Sequence, residues 1–173
     1  MSLLKHIEHR DAVLLRLINN SLKCSVLDIL MPIITYLGSG FVTIPLCAAA
    51  ILNKTTSVHR FGIGSALSLS ISYVISEIIK ITVNRLRPFL QMENLNIKKI
   101  GIDKYSFPSG HTTAAFSIGI MGSLFFPAAS VIFIVIAFAV GISRMYLGVH
   151  YPTDVFAGSI LGSVTSVCIF LLI

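Results

Sequence analysis

Two histidines, one aspartate and three basic residues stand at spacings that could carry phosphate chemistry: His111, His150, Asp154, Lys80, Arg87 and Arg144. Guanidinium forks give paired, directional hydrogen bonds to a tetrahedral oxyanion, and a lysine adds a compact charge. Three cations at one place imply a polyanionic ligand. Pro108-Ser109-Gly110 reads as a turn feeding a helix at about His111, where opening amides and the positive dipole end favour bound phosphate. Ser109 can add a hydroxyl donor. His150 and Asp154 are four apart, one turn if a helix starts there, although Pro152 favours a turn entering the helix; either way they can meet. A carboxylate on one imidazole nitrogen fixes the tautomer and leaves the other free to attack phosphorus. His111 is then left to protonate the departing oxygen, a contribution of about 10²- to 10⁴-fold in rate.

The elements that must bring these residues together are membrane spans. The chain of 173 residues is 55% hydrophobic and only 12% charged, against roughly 25% charged in soluble domains. Apolar runs able to cross about 30 Å of hydrocarbon recur along it. Five crossings are expected, at about Val26 to Leu52, Phe61 to Ile81, His111 to Phe126, Ala128 to Arg144 and Thr153 to Ile173. The first is interrupted by Pro32, Gly38-Ser39-Gly40 and Pro45, so a kink or break is predicted. The second carries Gly62, Gly64, Ser65, Ser68, Ser70 and Ser72, small residues suited to close helix packing. Residues 3 to 22 mix Leu3, Leu4, Ile7, Leu14, Leu15, Leu17, Ile18 and Leu22 with frequent charges, the pattern of an amphipathic helix lying in the interface. Thr82 to Pro108 is too polar for hydrocarbon and forms the longest loop. Counting crossings puts the ends of the second and fourth spans and the starts of the third and fifth on one membrane face, where the chemistry-bearing residues concentrate. The expected fold is all-α, a polytopic transmembrane bundle of five to six helices with an interfacial N-terminal helix. No repeat or second domain interrupts a single domain over 1–173, and the termini are expected on opposite faces.

These residues together resemble the three-part signature of the type 2 phosphatidic acid phosphatase family. Lys80 is followed by six residues and Arg87-Pro88; Pro108-Ser109-Gly110-His111 comes next; then Ser143-Arg144, five residues, His150, three residues and Asp154. The match spans residues 80–154. The resemblance implies a helical membrane bundle, metal-independent dephosphorylation of a lipid and a phosphohistidine intermediate, with no cofactor. By position it assigns His150 as nucleophile, Asp154 as its partner and His111 as acid. Lys80, Arg87, Ser109, Gly110 and Arg144 become phosphate binders, with Ser143 in the motif but given no role.

Other readings carry less. The net charge of +6 lies between apolar runs and not along an aromatic-studded face, so anionic lipid is the expected partner and nucleic acid is not. No obligate protein partner is evident. Two histidines and an aspartate could suggest zinc, but Lys80, Arg87 and Arg144 would repel a cation, so no metal is expected. Cys24, Cys47 and Cys168 read as small buried hydrophobes. Residues 1 to 25 hold too many charges for a cleaved signal peptide. His6, His9 and His59 have no comparable neighbours. Glu77 is read as an ion-pair partner of Lys80 one turn away. Arg85, Lys98, Lys99 and Lys104 are read as solvated or lipid-touching and left out of the site, and Tyr146 and Tyr151 as interfacial anchors.

A haloperoxidase using vanadate, a phosphotransferase passing the same phosphoryl group to an alcohol, and a lipid or anion transporter are the competing functions. Membrane composition opposes the first, and the transporter leaves the His150 and Asp154 pair unexplained. Phosphatidate, phosphatidylglycerophosphate, undecaprenyl pyrophosphate and a lipid A phosphate all remain as substrates. A multi-pass protein of the bacterial inner membrane is expected. Arg85, Lys98, Lys99 and Lys104 favour a cytoplasmic site face by positive-inside counting, while many bacterial members of the resembled family carry it outside.

Overall fold

The computed structural model describes residues 3–97 and 104–173, with side chains from residue 6 onward. The readings made above for the side chains of Leu3 and Leu4, and for Lys98 and Lys99, lie outside the described residues. Eight α-helices run in order among those described: α1 (Leu3–Ser21), α2 (Ser25–Tyr36), α3 (Gly40–Ile51), α4 (Thr56–Val83), α5 (Pro88–Gln91), α6 (Gly110–Phe125), α7 (Ser130–Tyr146) and α8 (Pro152–Leu172).

Three of the spans have the length and apolarity to cross a bilayer: α4, α7 with the short 3-10 turn before it, and α8. The pair α2 and α3 makes a fourth when taken together, bent by 48°. The break falls at Leu37–Ser39, as the glycine-rich step predicts, and not at Pro32 or Pro45, which both lie inside helices. Gly38 is required there: a Cβ on it would sit 2.5 Å from the backbone carbonyl oxygen of His111.

The expected third crossing is corrected by its length. Helix α6 has 16 residues, about 24 Å at 1.5 Å per residue, short of roughly 30 Å of hydrocarbon. It packs most extensively on α8 and α7 and then on α4. Protein therefore takes the place of lipid around it. Of the small residues of α4, Gly62, Gly64, Ser65, Ser68 and Ser72 are buried within the bundle as anticipated, while Ser70 is exposed and donates back to the Ala66 carbonyl at 2.8 Å. Ser72 Oγ lies 3.1 Å from Ser117 Oγ of α6, Ser68 Oγ 2.8 Å from Ser166 Oγ of α8, and Ser166 donates to the Ser117 carbonyl at 2.7 Å. Such bonds between helices fix their rotation in an apolar medium.

One end of the bundle is closed by aromatic packing of Phe61 with Phe125 and Phe126, and of Phe125 with Phe170. Arg60 there donates to the carbonyl of Ile173. At the other end α1 runs across the helix termini, as an interfacial helix should. Its buried stripe is Asp11, Leu15 and Asn19, while Leu14 and Leu17 are exposed on the other side. Asn19 Nδ2 donates to the Tyr146 carbonyl at 2.6 Å and, in the opposite sense, Asn19 Oδ1 accepts from the Asn96 amide at 2.8 Å.

Two side-chain expectations are overturned. Cys24 and Cys168 are exposed, and only Cys47 is buried, because the other two face outward from the bundle. Tyr146 and Tyr151 are buried and not interfacial anchors: Tyr146 donates to Asp28 at 3.0 Å and Tyr151 to Gln91 at 3.0 Å.

Candidate active site

The two described ends of the long loop are joined by a short antiparallel pairing that the sequence did not announce. Asn84, in the left-handed region at φ 52°, ends α4 with its amide on the Lys80 carbonyl, a left-handed cap. Segment 85–87 then runs beside 104–106. The Ser106 amide donates to the Arg85 carbonyl at 2.8 Å, the Arg87 amide to the Lys104 carbonyl at 3.3 Å, and Leu86 bridges Tyr105. This pairing delivers Ser106 and Arg87 to the loop between α7 and α8, where His150 sits.

His150 is fully enclosed. Its Nδ1 lies 2.8 Å from the Ser106 carbonyl and its Nε2 3.3 Å from Arg87 Nη1. A carbonyl can only accept and a guanidinium can only donate, so these partners select the Nδ1-H tautomer with a lone pair on Nε2. Burial, then Arg144, Arg87 and Lys80 nearby, hold the imidazole well below its ordinary value near 6.5, against the opposing pull of the Ser106 carbonyl. A neutral, oriented ring with one bare nitrogen among cations is what a nucleophile toward phosphorus needs.

Asp154 is close to that ring but does not orient it directly. Its Oδ2 stands 3.6 Å from His150 Nδ1, beyond hydrogen-bond reach. The same oxygen instead accepts the Tyr151 amide at 2.8 Å, capping the start of α8 at Pro152, and Oδ1 accepts Arg85 Nη1 at 2.7 Å. Arg85 is the residue that the sequence reading misplaced in solvent. It also bonds Thr153 Oγ1 at 2.7 Å and pairs with Asp11 of α1 at 2.6 Å.

The remaining candidate residues lie at the same end of the bundle. Arg144, at the end of α7, is buried and donates to Thr35 Oγ1 of α2 at 2.9 Å, a contact with no signal in the sequence. Arg87 Nη1 also reaches the Val149 carbonyl at 3.2 Å. Lys80 pairs with Glu77 at 2.7 Å, the predicted one-turn ion pair. Ser109 starts α6, with its amide on the Asp154 carbonyl at 3.0 Å and its Oγ accepting from Thr112 at 2.9 Å. Helix geometry gives the opening amides of α6 no intrahelical carbonyl. A Cβ placed on Gly110 would meet nothing within 4 Å, so there is open space beside the first residue of α6. Ser143 Oγ donates to the Val140 carbonyl at 2.6 Å within its own helix.

A cavity of about 610 Å³ adjoins this region between α3, α4 and α6; Lys80, Gly110 and His111 line it together with Ser39, Ser76 and Glu77, whereas His150, Arg87 and Arg144 do not. Among the described residues no three His, Cys, Asp or Glu side chains converge as a metal ion would require.

A polytopic helical membrane protein whose buried histidine is ringed by cations at one bundle end is an anion-handling protein of the bilayer. The chain belongs to the PAP2 superfamily, which matches residues 61–173. It is 37% identical over 120 residues to the bacitracin transport permease protein BcrC of Bacillus licheniformis, covering 69% of this chain and 59% of that protein. With the undecaprenyl-diphosphatase of Sulfolobus acidocaldarius it shares 33% identity over 151 residues, 87% of this chain and 72% of that one. The crystal structure of Aquifex aeolicus LpxE superposes with a TM-score of 0.80 at 31% identity, over 91% of this chain and 93% of that one.

Proposed function

We propose that this protein is a lipid phosphatase that cleaves a phosphomonoester or pyrophosphate of a membrane lipid through a phosphohistidine, with residues 1–173 acting as one domain. The observation that carries the reading is the His150 ring, its Nδ1 on the Ser106 carbonyl and its Nε2 turned toward Arg87 among three cations. The family membership and the undecaprenyl-diphosphatase relative support a lipid phosphate as substrate. The Bacillus and Aquifex relatives support a bacterial cell membrane.

In the proposed reaction the substrate phosphate displaces the Arg87 contact and is held by Lys80, Arg87, Arg144, Ser109 and the Gly110 turn. His150 Nε2 forms a bond to phosphorus as the bond from phosphorus to the lipid oxygen breaks, and His111 gives that oxygen its proton. Water then attacks phosphorus, His111 takes the water's proton, the bond to nitrogen breaks and inorganic phosphate leaves. Asp154 acts through the loop it caps and through Arg85. The charge that develops on phosphoryl oxygens meets donors already in place, which is where most of the rate gain arises.

A panel of phosphatidate, phosphatidylglycerophosphate, undecaprenyl pyrophosphate and lipid A 1-phosphate, assayed on purified protein with excess EDTA, tests this. Release of inorganic phosphate from at least one is expected. Hydrolysis that vanishes in EDTA and returns with zinc or magnesium would refute the metal-free route. Transfer to added alcohol in place of water would identify a phosphotransferase.

A further inference from the structure

Helix α1 lies outside the residues matched by the family, yet its one buried carboxylate reaches the loop that carries the nucleophile. Asp11 is 4% exposed in a helix where Glu8, Arg10 and Arg16 are exposed. Its Oδ1 accepts the Thr153 amide at 3.0 Å, and its Oδ2 accepts Thr153 Oγ1 and pairs with Arg85 Nη2. Thr153 is the residue before Asp154, in the first turn of α8. A carboxylate removed from water this far is stable only when its oxygens are bonded and its charge is paired. Here every partner belongs to the machinery that places His150.

Arg85 is the junction. Its guanidinium bridges Asp11, Thr153 and Asp154 and lies 4.0 Å from the centre of the Tyr151 ring, next to His150 in sequence. Its backbone carbonyl receives the Ser106 amide at 2.8 Å, and the Ser106 carbonyl in turn receives His150 Nδ1. One residue thus fixes both the acceptor that sets the imidazole tautomer and the carboxylate that caps the loop.

We infer that Arg85 and Asp11 are positioning residues for His150, and that α1 is thereby a working part of the active site and not only a membrane anchor. The inference rests on His150 being the nucleophile of the reaction proposed above. A guanidinium holding two carboxylates and a hydroxyl in fixed directions cannot be replaced by a lysine, which offers one charge centre and no fork. Neither residue meets the phosphate, so their loss acts on the chemical step and leaves substrate binding in place.

The test compares Asp11→Asn, Arg85→Gln and Arg85→Lys with Leu15→Ala in detergent-purified full-length protein. Leu15 is completely buried on the same stripe of α1, one turn on, and carries no polar group. Asp11→Asn and Arg85→Gln should lower kcat per folded molecule by about 10- to 100-fold, the scale of a misplacement below 1 Å, with KM within about twofold. Arg85→Lys should fall between them and wild type, and Leu15→Ala should lose thermal stability with kcat nearly unchanged. The second readout needs no turnover: nitrogen-15 shifts of the His150 ring should report the Nδ1-H tautomer in wild type and a mixture in Arg85→Gln. Wild-type kcat and an unchanged tautomer in Asp11→Asn and Arg85→Gln would overturn the inference, as would an equal loss in Leu15→Ala. A wild-type protein inert on all four lipid phosphates would refute the hydrolase reading instead, and the tautomer would still decide the positioning roles.

Discussion

Replacing Gly158 by alanine isolates the geometry that joins the two halves of the site. Gly158 lies one turn after Asp154 on α8, and a Cβ there would stand 2.7 Å from the Ser109 carbonyl oxygen, with Thr113 Oγ1 at 3.1 Å and Thr112 Cβ at 3.3 Å. Ordinary contact begins near 3.4 Å, so α8 and the start of α6 must separate by about 0.7 Å. The obstacle is main chain and cannot rotate away. That separation falls where the Ser109 amide meets the Asp154 carbonyl at 3.0 Å, between the Ser109-Gly110 turn and the loop that holds His150. Overpacking of this kind costs about 1–3 kcal/mol, more than the ~0.5–1 kcal/mol that alanine gains over glycine inside a helix. A displacement near 1 Å at reacting groups is worth about 10²-fold in rate, or ~2.7 kcal/mol of barrier.

Gly162→Ala is the control. Its Cβ would collide with the Thr113 carbonyl oxygen and lie 2.9 Å from the Ser117 amide, one turn deeper and away from the site. Melting in detergent should fall for both variants, whereas kcat per folded molecule should fall by about 10²-fold in Gly158→Ala and by less than tenfold in Gly162→Ala. Equal activity losses, or full activity in Gly158→Ala, would refute the view that this contact sets catalytic register.

His150→Ala should abolish trapping of labelled phosphate on the protein with every substrate. His111→Ala should be partly rescued by a nitrophenyl phosphate, whose leaving group needs little protonation, and equal loss with both substrates would refute its role as acid. Because His150 titrates well below 6.5 when folded, kcat/KM should stay level as pH falls through 6.5 and decline only further down. The unfolded chain binds the proton near 6.5, so the stability this residue contributes is complete above 6.5 and is lost as pH falls below it toward the folded value. The melting temperature of wild type should accordingly drop relative to His150→Gln below pH 6.5, and parallel curves would count against a neutral buried ring. Gly110→Ala places a methyl in the open space before α6 and should weaken vanadate competition by at least tenfold without lowering the melting temperature; unchanged inhibition would remove phosphate from that turn.

Four of the five expected crossings match helices or a bent helix pair of spanning length, because they rest on local signals: apolar run length, a glycine step and fixed spacing along single helices. Lys80 with Glu77 is the clearest case, a contact one turn apart on one helix. The four-residue spacing does bring Asp154 Oδ2 to 3.6 Å from His150 Nδ1, but not into a hydrogen bond. The start of α8 at Pro152 takes one Asp154 oxygen for the Tyr151 amide, and the ring turns to the Ser106 carbonyl. Arg85 was missed for a different reason. Its partners, Asp11, Thr153 and Asp154, lie about 70 residues away on either side, and nothing in a basic loop residue reveals such a junction. Thr35 at Arg144 was hidden in the same way, across 109 residues.

The shortness of α6 bears on how the protein enters its membrane. A segment of 16 residues that opens on Gly110-His111-Thr112-Thr113 and hides most of one side against α7 and α8 gains little by partitioning into lipid on its own. Helix α7 follows after only Phe126 and the turn Pro127–Ala129, and it is apolar from Val131 to Ile142, ahead of Ser143 and Arg144. The two helices are therefore suited to leave the insertion machinery as one hairpin, with α7 supplying the partitioning energy. The turn at Ser109-Gly110 would then meet Asp154 and Gly158 of α8 only after that hairpin is in place.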